Sequence, residues 1–103
     1  MTFEFDPEVV DYMKNTGKTT MVVEVVTSDN SDFEVSELYI HPVDPKKAET
    51  FRKKRYRAVP APDPDLTILL PPFKLDYSEI VRFHLRKILF VTSIKYEGIR
   101  LIR

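Results

Sequence analysis

The chain has no cysteine, no tryptophan and only two glycines, Gly17 and Gly98, in 103 residues. Without thiols there is no disulfide framework, no thiolate metal site and no cysteine nucleophile. That composition fits a reducing, cytoplasmic setting. Two isolated glycines do not make a glycine-rich phosphate loop. Long apolar runs are missing as well, and none approaches the ~20 residues that cross a bilayer. Met1-Thr2-Phe3-Glu4-Phe5-Asp6 forms neither a basic leader nor the apolar segment of a signal peptide, so no membrane partner is expected. Net charge is absent too, with 16 Lys and Arg against 16 Asp and Glu.

What is present suffices for one globular domain spanning residues 1–103. A hydrophobic content of 43%, including seven Phe and five Tyr, supplies a core and removes the disorder signature of low hydrophobicity with high net charge. The charge is segregated. Residues 1–45 hold ten acids and two lysines, a net of −8, and residues 46–103 hold fourteen cations and six acids, a net of +8. The favoured reading is that the halves neutralise each other across packed elements; the alternative is one basic face.

Local patterns predict the elements. Phe3 and Phe5 alternate with Glu4 as a short strand. Asp6-Pro7-Glu8 starts a helix, with Asp6 as N-cap, Pro7 at the first position, a stripe from Val9 to Met13, and Gly17 as the left-handed end. Thr19 to Thr27 is a nearly continuous apolar, β-branched run, which predicts a central strand covered on both faces. Ser28 to Asp32 is a polar turn, and Phe33, Val35, Leu38 and Ile40 carry an antiparallel second strand, with a bulge between Val35 and Leu38 and an end at Pro42.

Asp44-Pro45 repeats the helix start and predicts a second helix near 44–55, with Ala48, Phe51 and Arg55 on one side. Pro60, Pro62 and Pro64 force extended geometry after it. Leu66 to Leu70 is a strand stopped by Pro71-Pro72. Asp76 to Glu79 reads as a turn or a single helical turn. In Ile80 to Phe90, Val81, Phe83 and Leu85 alternate with Arg82, His84 and Arg86, so strand is preferred over a helix facing Tyr77, Val81, Leu85 and Ile88. Phe90 to Tyr96 is β-rich, Glu97-Gly98 is a turn or bulge, and Ile99 to Ile102 is a terminal edge strand. The fold class is α+β, a β-dominated single domain of mostly antiparallel strands.

Catalytic constellations are not legible. His41 and His84 are isolated and read as surface or structural imidazoles. No G-x-S-x-G elbow exists, and Glu34 and Glu37 read as a solvated strand face. The basic run is the one strong signal: Lys46, Lys47, Arg52, Lys53, Lys54, Arg55 and Arg57 fall within twelve residues opposed only by Glu49. With Phe51 and Tyr56 interleaved, Arg52-Lys53-Lys54-Arg55-Tyr56-Arg57 offers phosphate contacts and stacking to a nucleic acid. Against it, the pI is ≈ 6.7 and no nucleic-acid-binding motif is present.

The order of elements resembles the HesB/IscA-like family, especially the small branch with an adjacent Cys-Cys or Cys-selenocysteine pair. The resemblance is carried by the short strand, the Phe5-Asp6-Pro7-Glu8 helix start, the apolar strand, an insertion, and a β-rich end with Gly98. It implies a compact β fold that handles iron–sulfur clusters through cysteines. Here Ser28-Asp29-Asn30-Ser31 and Tyr96-Glu97-Gly98-Ile99 stand where those thiols belong, so the cluster role is expected to be lost and no cofactor is expected. The leading expectation is a non-enzymatic binding or assembly domain, joining a protein partner or a second copy by an exposed strand edge. The alternative is a nucleic-acid-binding module using Lys46–Arg57.

Overall fold

A computed structural model describes residues 1–29 and 34–101. Seven strands and two helices follow the order β1 (Thr2–Phe5), α1 (Pro7–Thr16), β2 (Thr20–Asp29), β3 (Glu34–Val43), α2 (Pro45–Lys53), β4 (Arg57–Pro60), β5 (Thr67–Leu70), β6 (Leu75–Ile88) and β7 (Val91–Leu101). They form two mixed sheets, β1-β6-β7 and β3-β2-β5-β4. Three of the five pairings are antiparallel; β1 runs parallel to β6, and β2 to β5. The α+β, β-dominated single globule expected from the sequence is what forms.

The apolar run of β2 is explained by two cores. Met21 and Val23 point into the main core with Val9, Met13, Ile68, Leu70, Val81 and Phe83. Val22 points the other way, into a second cluster with Val43, Ala48, Phe51, Tyr56 and Leu69. Successive strand residues alternate faces, so a strand covered on both sides must be apolar throughout. Phe83 is fully buried at the centre, with Phe3 stacked at 6.2 Å and Phe5 edge-on at 5.5 Å.

Both helices start as read, with different chemistry at the caps. Asp44 accepts from the Lys47 amide at 2.8 Å. Asp6 occupies the N-cap position, but its side chain caps nothing; its Oδ1 lies 3.5 Å from Arg82 Nε instead. A strong cation beside the carboxylate competes with the orphan amides. Gly17 ends α1 with φ 73, as expected.

Several details differ from the sequence reading. β2 and β3 pair in one unbroken register from Thr20↔Val43 to Asp29↔Glu34, with no bulge. Pro42 lies inside β3 instead of ending it, because β3 is an outer strand with a single ladder to serve. Asn30 to Phe33, within the predicted turn and strand start, and Ile102 at the chain end lie outside the described residues. Asp76 to Glu79 is strand, not turn.

The long β6–β7 hairpin runs from Leu75↔Leu101 to Ile88↔Val91 and shifts register between Tyr77 and Arg82. Gly98 sits opposite that shift with φ 90. A Cβ there would collide with the Ile80 carbonyl oxygen and lie 3.3 Å from Val81 Cα, so only glycine fits.

Candidate functional site

The basic run is split by the end of α2. Its C-terminus closes as a Schellman motif: the Tyr56 amide donates to the Phe51 carbonyl at 3.1 Å, and the Arg55 amide donates to the Arg52 carbonyl at 3.0 Å. The accompanying apolar contact is Phe51 against Tyr56, ring centroids 4.9 Å apart. Phe51 is 3% exposed and Tyr56 9% exposed, so neither ring is free to stack on a base. This corrects the expectation that they interleave with the cations as stacking platforms. Burial pushes the Tyr56 phenol above its ordinary range, against a partial lowering by the Val25 backbone.

Arg55 takes the C′ position with φ 70, where glycine is the usual residue. It therefore lies beyond the helix, not on its face with Ala48 and Phe51. Arg52, Lys53, Lys54, Arg55 and Arg57 are all exposed. Among the described residues no ion pair joins any residue of 46–57 to an acid. The two halves do meet in direct pairs, Arg82 with Glu4 and Asp6 and Lys14 with Asp63, but among the described residues not through the run at 46–57.

Arg55 and Arg57 line a cleft of ≈ 430 Å³ with Lys74, Phe73, Tyr77 and the Pro71-Pro72 pair. Three cations converge there beside one aromatic ring, Phe73, that is 56% exposed. Burial raises the Tyr77 phenol, and the neighbouring Arg57 guanidinium opposes that shift. Lys74, Phe73 and Tyr77 are distant in sequence from the basic run. The turn that brings them in follows β5, and the Pro71-Pro72 pair was its only sequence cue.

A second surface was missed altogether. β6 and β7 are joined by a two-residue turn, Leu89-Phe90. Leu89 is 92% exposed and Phe90 fully exposed, with Ile88 at 54% and Val91 at 67%. Leu89 has φ 54 and Phe90 does not share that sign, the backbone pattern of a hairpin turn that prefers glycine first. Arg55 and Leu89 are the only non-glycine residues with positive φ among those described. The signal available in the sequence was the run Ile88-Leu89-Phe90-Val91 itself, four apolar residues where strict alternation stops.

The two imidazoles lie on different strands, β3 and β6. His41 Nε2 is 2.9 Å from Glu24 Oε1, and the ring stacks on Tyr39 at 4.2 Å. His84 is half-buried on β6, in register with Lys95. Ser93 lines a cleft with His41, but no hydrogen bond joins a hydroxyl to either imidazole among the described residues. No group of three potential metal ligands occurs among them either. Tyr96 to Ile99 lies within β7 and offers no soft donor, so these residues do not fit an iron–sulfur cluster. Among the described residues, no helix is long and apolar enough to cross a membrane. No family model, no curated protein and no solved structure matches this chain.

Proposed function

We propose that this chain is a non-enzymatic binding and assembly domain whose docking element is the tip of the β6–β7 hairpin. The observation that carries the reading is the exposure of Ile88, Leu89, Phe90 and Val91 as one contiguous apolar surface. Scattered apolar residues are ordinary on a surface, whereas a contiguous set on a protruding turn marks an interaction site. Covering Leu89 and Phe90 is worth about 1.5–3 kcal/mol each.

The test is a Leu89→Gly/Phe90→Ser double variant, followed by binding of an apolar fluorescent dye and by a light-scattering concentration series. Dye binding and any self-association should fall sharply while the thermal transition stays. An unchanged dye signal would refute the reading.

A second reading is favoured by the cleft: a single-stranded nucleic acid held by Arg55, Arg57 and Lys74, with a base against Phe73. Changing the three cations to Ala should weaken binding of a labelled oligonucleotide and flatten its salt slope by roughly 2, at about 0.7 per phosphate contact on a single strand. Absence of binding by the unaltered chain at low salt sinks this reading. The HesB-like resemblance, taken with the missing thiols, adds no cluster to either.

A further inference from the structure

We infer that the hairpin tip docks on an anionic lipid surface; this rests on the reading of the tip as the docking element. The argument is the order of side chains along the hairpin. On its outer face the register reads Ile88 with Val91, then Arg86 with Ser93, then His84 with Lys95. Apolar groups come first, Arg86 follows about 7 Å behind Ile88, and Lys95 about 14 Å behind Val91, at 3.4 Å per residue. An element resting in a membrane interface places its apolar face ~5–10 Å deep and its cations at the headgroups.

Charge complementarity selects this occupant. From Ile80 to Tyr96 the sequence has no acid, while it has Arg82, Arg86, Lys87 and Lys95. Arg82 is engaged by Glu4 and Asp6, and Lys87 shares a shallow cleft with Glu8 and Asp11 of α1. Arg86 and Lys95 are exposed and take part in no ion pair among the described residues. A second copy meeting the tip head-on would bring two such cationic collars together, and like charges across a contact are disfavoured. An anionic surface attracts both. The tip is also convex, a two-residue turn with both side chains fully or almost fully exposed, which suits a deformable phase.

The experiment is flotation of the full chain with vesicles of phosphatidylcholine alone or with one-third phosphatidylserine, at low and high salt. The chain should float with the anionic vesicles and bind the neutral ones at least about tenfold more weakly, since each cation contributes about fivefold. Arg86→Gln/Lys95→Gln should lose about 25-fold at low salt by the same measure. Leu89→Gly/Phe90→Ser should lose at least about tenfold, with a thermal melt showing that it is folded. The inference is overturned if the unaltered chain stays in the supernatant with anionic vesicles, if it floats equally with neutral ones, or if the tip variant floats as well as its parent. Apolar-dye binding separates the two levels. If the unaltered chain fails to float but the tip variant still loses dye, the bilayer is wrong and the docking element stands. If dye binding is unchanged, both fall.

Discussion

Replacing Arg55 by glycine should make the domain more stable. Arg55 holds the C′ position of α2 at φ 70, and its neighbours Phe51 and Tyr56 lock it there through one backbone hydrogen bond and one ring contact. An L-residue in left-handed geometry costs roughly 1–2 kcal/mol. Glycine removes that cost but loses more freedom on folding, about 0.5–1 kcal/mol. The net gain is about 0.5–1 kcal/mol, or roughly 2–8 °C in melting temperature for a domain of this size. Urea denaturation should show a higher midpoint with an unchanged slope. Arg55→Ala is the control, because it removes the charge and keeps the Cβ. If the alanine variant gains as much as the glycine variant, the relief comes from repulsion among Arg52, Lys54 and Arg57, and the backbone argument is wrong. A loss of stability in Arg55→Gly would refute it outright.

Gly98→Ala should cost about 3 kcal/mol or more, combining the left-handed penalty with a collision against the β6 backbone, and should unfold at visibly lower denaturant. Asp63 is held below the ordinary carboxylate range, first by the Asp65 amide and then by Lys14, 3.2 Å away. A depressed carboxylate stabilises the fold above its unfolded pKa and ceases to do so as the pH falls through its folded value. Stability should therefore decline below about pH 4. Asp63→Asn should make that acid limb shallower in pH-dependent urea melts, and an identical limb would count against the assignment. Anaerobic reconstitution with iron and sulfide should leave no visible charge-transfer absorbance, since no thiolate is available; a stable cluster would overturn the argument from missing ligands.

Much of the fold was legible because its signals are local. The Asp-Pro helix starts, the two-sided β2 and the alternation in β6 each need only neighbouring residues to be read. The β6–β7 turn was invisible because Leu89-Phe90 contains no glycine, proline, asparagine or aspartate; two strands read as adjoining pieces with nothing to separate them. Asp76 to Glu79 misled for the opposite reason. Its polar, turn-like composition sits in a strand whose register shift is fixed by Gly98, about twenty residues later in the sequence. The basic run stands out in the sequence by its charge, yet its aromatic members belong to the second core. What makes it a cleft is Phe73, Lys74 and Tyr77, which the turn after β5 and the start of β6 bring near.

β6 also acts as a ruler. Tyr77 of the cationic cleft and Ile88 of the apolar tip lie on this one strand, eleven residues apart, which is roughly 30 Å once the irregular stretch is allowed for. Occupants of the two ends would not touch, and substitutions at one end should add independently to those at the other. If both proposed readings hold, the hairpin carries two docking sites at a fixed separation, which can be filled at the same time.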